Sequence, residues 1–338
     1  GGVAHGVVVA VVRRAEMSEA LKPHGFQFKE LAVKGVEVSH TIDEVYFNGV
    51  SKWQAVSVVK LEQWGRTLLL DDKIQSCEHD EHVYHESLVH APLLSHPNPK
   101  RVFIAGGGEG ATAREVLRHK SVEQLVMVDI DPFAVETSRK YLEDHHKGAF
   151  DNPRMKLVID DAKKYLLETE ELFDVIVLDL ADPVEDGPCY LLYTEEFYTM
   201  LAGRLAPGGV VVTQAGPAGA HTVDDVCLPI FNTLRRVFAN AHLYRSHIPS
   251  FLDIYGFAIA SNEVDVARAL LPPAADVDAL VEARLDATHE DGGKAGAACL
   301  RYYDAETHGR MFAWDKQLRA AVAANSTIIT DAAPRYLQ

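Results

Sequence analysis

The chain has 338 residues, room for one large α/β domain and a small companion, with the hydrophobic (47%) and charged (24%) fractions of an ordinary globular protein. Its 33 basic and 49 acidic residues leave a formal net charge of −16, which argues against nucleic acid and anionic membranes as main partners. The same field suits a cationic small substrate.

Cys77, Cys189, Cys227 and Cys299 form no CxxC pair. They read as reduced thiols of a cytoplasmic protein, not as a disulfide frame or zinc site. The 16 histidines include no HExxH motif, so no metal is expected. His145–His146 falls in a charged stretch expected to be exposed.

Residues 1–37 read as an extension, at least partly disordered. The apolar run Val7–Val12 is too short to cross a membrane. Arg13–Arg14 follow that run, where a secretory signal would have them first, and Met17 lies nearer a natural start. From 38 to 80, apolar and polar residues alternate. Gln54–Leu61 and Thr67–Leu70 flank the turn Gln63–Arg66, a hairpin signal, and Ile74–Cys77 is a third short strand. This predicts an antiparallel β domain over 38–80, ahead of an α/β domain over 81–338. A helix over Glu81–Leu94 opens the second domain.

Val102–Ala105 predicts a buried parallel strand. Gly106, Gly107, Gly108 and Gly110 then let the backbone turn tightly and approach a ligand. The helix Ala111–Arg118 aims its N-terminus at that ligand. The next strand, Leu125–Val128, ends in Asp129, about 20 residues after the glycines, where an acid can accept two ribose hydroxyls. Further strands are predicted over Lys156–Ile159, Asp174–Leu178, Val210–Gln214 and Ile254–Ala260, with helices over Ala162–Glu170, Thr194–Leu205 and Thr222–Ala239. Such alternation predicts a doubly wound, Rossmann-like, mostly parallel sheet of the methyltransferase type. Residues 261–338 are Ala-rich and helical in pattern, without a motif.

In such sheets ligands lie at the carboxyl ends of the strands. That rule gathers Gly106–Gly110, Asp129, Asp161, Asp179 and Gln214 on one rim. Glu109 is the informative residue. A pyrophosphate or a methionine carboxylate sits badly against it, whereas a cationic tail sits well; the alternative is a side chain that turns to solvent or favours the helix N-terminus. Asp179 and Asp182 flank a turn before Pro183 and can hold an ammonium group, one of them taking a proton from an attacking amine. Asp182 could instead cap its turn. Gly187–Tyr190 reads as a loop able to close over the site. Tyr84–His85–Glu86 lies on a helix, and spacing does not connect it to the rim.

Several motifs together carry a resemblance: DEHVYHE (80–86), SHPNPKRVFIAGGGEG (95–110), VMVDID (126–131), VIDDA (158–162), LDLADP (178–183) and SHIPSFLDIYGFAIAS (246–261). In this order they resemble the polyamine aminopropyltransferases, the spermidine and spermine synthase family, over about residues 38–300. Glu109 after three glycines, DLADP and VTQAGPAG (212–219) are most similar to plant and algal thermospermine synthases. The resemblance implies transfer of an aminopropyl group from decarboxylated S-adenosylmethionine to spermidine, with neither metal nor cofactor. Spermidine or spermine synthesis are the alternatives, and a methyltransferase, an NAD-dependent oxidoreductase or a non-catalytic polyamine-binding protein are more distant ones. It implies donor contacts from Gln54 and His85, with Gly106, Gly108 and Glu109 around the aminopropyl ammonium. Asp129 would bind the ribose, Asp161 and Ala162 the adenine, and Pro188 would belong to a gate beside it. Asp179 would be the proton acceptor, and Tyr84, Asp182 and Phe251 would line the acceptor groove. The family commonly has Gly at 162, and Tyr where this chain has Phe251. A homodimer or homotetramer that uses the β domain is implied as well.

Overall fold

A computed structural model describes residues 26–33, 35–185, 187–264, 274–286 and 299–337. Two sheets organise them. The first is antiparallel, with strands in chain order: β1 (Phe26–Val33), β2 (Val36–Val50), β3 (Ala55–Leu61), β4 (Gly65–Leu70) and β5 (Lys73–Cys77). The sheet therefore begins at Phe26, ahead of the boundary expected at 38. Phe26–Val33 is not an extension, because Phe28 and Glu30 turn inward at the period of two that a half-buried strand requires. The rest of the expected extension lies outside the described residues.

Helix α1 (Glu81–Ser95) leads into the second sheet. Its elements are β6 (Arg101–Gly106), α2 (Ala111–Leu117), β7 (Gln124–Asp129), α3 (Pro132–Tyr141), α4 (Glu143–His146), β8 (Met155–Ile159), α5 (Ala162–Glu168), β9 (Phe173–Asp179), α6 (Glu195–Ala202), β10 (Leu205–Pro217), α7 (Cys227–Val237), β11 (Asn240–Ile248) and β12 (Asp253–Ser261). Helices α8 (Ala274–Arg284), α9 (Ala305–Phe312) and α10 (Lys316–Ala324) follow. The seven strands run β11-β12-β10-β9-β6-β7-β8. Pairs from β10 through β8 are parallel; β12 joins β10 and β11 antiparallel.

Several elements differ from the pattern-based expectation: α3 and α4 lie outside the expected helices, β10 begins at Leu205 and not at Val210, and two further differences have a clear physical cause. β11 is a strand that the sequence hides, since NAHLYRSHI carries polar residues along a half-exposed edge strand. Helix α7 starts at Cys227 and not at Thr222, because Pro229 fits only the first turn of a helix.

Alternate residues of the central strands feed two cores. Val102, Ile104, Val175 and Val177 pack with Leu88 and Leu93 of α1. On the other face, Phe103, Ile176 and Leu178 meet Phe197 and Leu201 of α6 and Leu234 of α7. The β domain joins through Val56, Val58 and Leu68, which pack with Ala134 and Leu142. Glu86 ties the C-terminal part to α1 by accepting backbone N–H bonds from Arg301, Tyr302 and Tyr303 (2.9, 2.9 and 2.8 Å). Strand order reverses between β6 and β9, the switch point where this architecture leaves a crevice.

Candidate active site

The glycine loop and the end of β9 meet at that switch point. Gly106 pairs with Asp179, and Gly107 N–H donates to the Asp179 carbonyl (3.0 Å). Gly106 has φ +79°, and a Cβ there would lie 2.1 Å from the Asp179 carbonyl oxygen, so only glycine fits. The turn leaves Glu109 pointing inward, its side chain 13% exposed. The side chain therefore does not turn out to solvent.

Helix α1 supplies the facing wall. It is buried nearly all round and carries polar side chains on its inner surface. His85 Nε2 lies 2.7 Å from Glu109 Oε1, and its Nδ1 lies 2.8 Å from Glu81 Oε2. Burial alone would depress the imidazolium, but the Glu109 and Glu81 bonds outweigh it and raise the His85 pKa to about 10. Glu109 shows the reverse balance: burial pushes it up, and the His85 bond and charge bring it below the ordinary carboxylate range.

Tyr84, the neighbour of His85, donates its hydroxyl to Asp179 Oδ1 (2.8 Å), and Thr112 Oγ1 donates to Asp179 Oδ2 (2.6 Å). Burial, and then the Glu109 charge, raise the Asp179 pKa to about 6. A carboxylate so poised is ionised at neutral pH yet can take a proton. Ligand atoms of His85, Glu109 and Asp179 all lie within 4.8 Å of one another. Such a cluster could hold a metal ion, and it equally surrounds a place for an organic cation.

Asp182 continues the acidic line. It accepts from Tyr255 Oη (2.7 Å) and from Gln214 Nε2 (3.2 Å), and burial raises its pKa. Phe251 lies between these groups, its ring 5.9 Å from that of Tyr84 and 4.7 Å from that of Tyr255. On the opposite side, Asp129 sits against Gly108, where a Cβ would come within 2.7 Å of its Oδ2. Burial raises Asp129 to about 7, with the Glu109 charge adding to it. Gln54 Nε2 donates to Asp131 (3.0 Å), and the Asp131 N–H donates to Asp129 (2.9 Å), which brings the β domain to this end of the crevice.

Asp161 precedes α5 and Ala162 starts it; among the described residues neither hydrogen-bonds to the acid cluster. Asp161 is exposed and caps the helix by accepting from Lys164 N–H (3.1 Å), while Ala162 belongs to the core. Pro188 lies in the connection before the short 3-10 turn Tyr190–Leu192. His145 and His146 are buried, against expectation, because α4 packs on α2. Burial lowers the His145 pKa to about 4, so this ring is neutral beside Glu109.

Residues 81–305 match the spermine/spermidine synthase domain, and residues 27–78 match the spermidine synthase tetramerisation domain. The chain belongs to the spermine/spermidine synthase family. This aminopropyltransferase is 46% identical over 241 residues to thermospermine synthase ACAULIS5 of Arabidopsis thaliana, covering 71% of each chain. It is 41% identical over 309 residues to polyamine aminopropyltransferase 2 of Hyperthermus butylicus, covering 91% of this chain and 96% of that one. A crystal structure of a spermidine synthase in complex with the transition state analogue AdoDATO superposes with a TM-score of 0.78 at 27% identity, over 93% of this chain and 99% of the other. Spermidine synthase from Thermotoga maritima gives 0.76 at 26% identity, over 95% and 100%. Among the described residues of this aminopropyltransferase, no helix is long and apolar enough to cross a membrane.

Sequence reasoning missed four side chains that bond or back the acid cluster and His85: Thr112, Tyr255, Glu81 and Arg114. Two left a trace. Thr112 stands in the first turn after the glycine loop, and Tyr255 shares a strand face with Phe257, whose ring is 5.5 Å from that of Tyr84. Glu81 and Arg114 gave none, since their pairing joins two helices.

Proposed function

We propose that this aminopropyltransferase moves the aminopropyl group of decarboxylated S-adenosylmethionine to a terminal amine of spermidine, giving thermospermine and 5′-methylthioadenosine. The observation that carries the proposal is the convergence of Glu109, His85 and Asp179 within 4.8 Å at the switch point of the sheet. Decarboxylation turns the tail of the donor from a zwitterion into a cation, which the Glu109 carboxylate favours and which the methionine carboxylate would not be. Asp129 takes the ribose hydroxyls, with Gln54 supporting it through Asp131. Asp161 and Ala162 take the adenine edge and Pro188 lies beside it. Gly106 and Gly108 keep the floor open.

The acceptor lies along Tyr84, Phe251 and Asp182. Its neutral amine attacks the methylene next to the sulfonium; the C–N bond forms as the C–S bond breaks. The sulfur leaves as a neutral thioether, so the chemistry needs neither metal nor cofactor. The ammonium proton of the product passes to Asp179, which positions the amine first. Thermospermine is favoured as product by the named Arabidopsis relative and by the residues Glu109 and Asp179–Pro183. We also place the enzyme in the cytoplasm as a homodimer or homotetramer assembled through the β domain, a reading supported by the tetramerisation-domain match.

A product assay tests the proposal. The pure protein is given decarboxylated S-adenosylmethionine with spermidine or with putrescine, and products are separated by a method that resolves thermospermine from spermine. Thermospermine from spermidine is expected. Spermidine from putrescine, or spermine, would move the enzyme to a sister activity; no product with either acceptor would overturn the proposal.

A further inference from the structure

Behind His85 lies a pair that no substrate contact requires. Glu81, first residue of α1, and Arg114 of α2 are each 5% exposed at the side chain. Arg114 Nη1 donates to Glu81 Oε1 (3.1 Å) and Nη2 to Glu81 Oε2 (2.8 Å), a bidentate fork. Arg114 also donates Nε to Glu115 (2.6 Å) and Nη1 to the His145 carbonyl. The fork leaves Glu81 Oε2 aimed at His85 Nδ1, which also lies 2.7 Å from the Glu81 carbonyl. Both of those partners are acceptors, so Nδ1 carries hydrogen. Nε2 faces Glu109, so the ring stands between two carboxylates and both nitrogens donate. Charges thus alternate from Arg114 through Glu81 and His85 to Glu109.

We infer that Glu81, clamped by Arg114, is a positioning residue that keeps His85 doubly protonated and through it aims the Glu109 carboxylate at the cationic tail of the donor. It rests on the reading of Glu109 as the ammonium ligand. A neutral His85 would keep its one hydrogen on Nδ1 and turn a lone pair toward Glu109. The carboxylate would then lose its hydrogen bond and its orientation. The charged and titratable groups around the ring are Glu81 and His82 of α1, Tyr84 beside it, Glu109 and Arg114 from the loop and α2, His145 of α4 and Asp179 at the end of β9. His82 is shifted down by burial to about 4 and His145 likewise, so neither adds a competing titration near neutrality. Among these groups, Glu81 and Glu109 are the ones that bond the ring, and removing one lets burial depress it.

The test is Glu81→Gln, which keeps the shape and removes the charge. Donor KM and kcat are measured from about pH 6 to about pH 9, across the range in which an unsupported imidazole loses its proton. The wild-type donor KM should carry no His85 transition over that range. In E81Q it should rise about tenfold or more toward alkaline pH and stay within about threefold of wild type at the acid end, with kcat at saturating donor little changed. Glu81→Asp should restore part of the wild-type profile. A pH-independent loss of kcat, or a wild-type donor KM throughout, would overturn the inference. Should E81Q fail to fold, nitrogen-15 spectra of the wild-type imidazoles decide. The His85 signal, assigned by its loss in His85→Gln, should report two N–H groups at about pH 8, and a neutral ring there would sink the inference. If Glu109→Gln leaves donor affinity intact, the reading of Glu109 fails instead, so the two failures are distinguishable.

Discussion

Replacing Asp179 by Asn isolates the proton-accepting step from binding. The carboxylate accepts one hydroxyl at each oxygen, from Tyr84 (2.8 Å) and Thr112 (2.6 Å). Asn keeps one acceptor oxygen and presents an NH2 group to the other hydroxyl, which can rotate to accept. The cost to folding is therefore about 1 kcal/mol or less, the net worth of one neutral hydrogen bond. The loss in chemistry is larger. With a pKa of about 6, Asp179 is mostly ionised at neutral pH and in the proposed role takes the amine proton; an amide does not. A general base contributes roughly 10²- to 10⁴-fold, or about 3–5 kcal/mol of barrier. Single-turnover formation of methylthioadenosine measures it, with donor and spermidine saturating. The rate of D179N should fall about 100-fold or more, while donor Kd stays within about threefold. In wild type, activity should be lost as pH falls through about 6, because protonated Asp179 cannot accept; in D179N that acidic limb should vanish. Turnover within about tenfold of wild type, with the limb retained, would remove Asp179 from the role.

Glu109→Gln should weaken donor binding by roughly 30-fold or more, the worth of a charge-assisted hydrogen bond, and narrow the preference for the decarboxylated over the carboxylated donor; calorimetry with both nucleosides checks it, and equal affinities to wild type would refute it. Phe251→Tyr adds a hydroxyl beside Tyr84 and Tyr255 and should lower the spermidine KM or change the isomer ratio of the products. Unchanged KM and ratio would take Phe251 out of the acceptor groove. Asp129→Asn should raise the Tm of the ligand-free protein at about pH 8 by about 2 °C or more while donor binding is lost. The folded pKa of Asp129, about 7, lies above its ordinary value of 3.8, so the ionised group costs stability once pH passes above that ordinary value, and the cost reaches its full size above about 7. A Tm gain of the same size at acid pH would point to another cause.

Much of the fold is written locally. Strands β6, β7 and β9 are apolar runs closed by a glycine or an acid, and the strand-end rule then puts Glu109, Asp129 and Asp179 on one rim from the sequence alone. What escaped depends on tertiary partners. Asn240–Ile248 reads as polar, yet pairs along its whole length with Asp253–Ser261, because an edge strand needs only one apolar face. His145–His146 sits among Glu143, Asp144 and Lys147, a local pattern that says surface, while packing of α4 on α2 buries both rings. The Asp179 environment is assembled from residues 84, 112 and 179, and no periodicity in one stretch reports on two others. The N-terminal boundary failed for a different reason. Phe26–Val33 pairs with β2 through a bulge, and Glu30, turned inward there, breaks the expected apolar alternation.

The electrostatics explain why a crevice this acidic can exist in a folded chain. Like carboxylates in low dielectric cannot all be ionised without positive charge nearby. Among the described residues, the cation bonded to this cluster is His85, and Glu109 takes it. Asp179 and Asp129 receive only neutral donors, from Tyr84, Thr112 and the Asp131 backbone, and both are pushed toward their protonated forms. On the proposed roles, the missing positive charge arrives with the substrates, as the sulfonium and ammonium of the donor and the amines of the acceptor. The Arg114–Glu81 pair lies on the side of His85 opposite Glu109, where it balances His85 without placing a further cation against Glu109. Positive charge is thus held back from the places that a polycation must fill, and selectivity for cationic substrates follows from what the site leaves uncompensated.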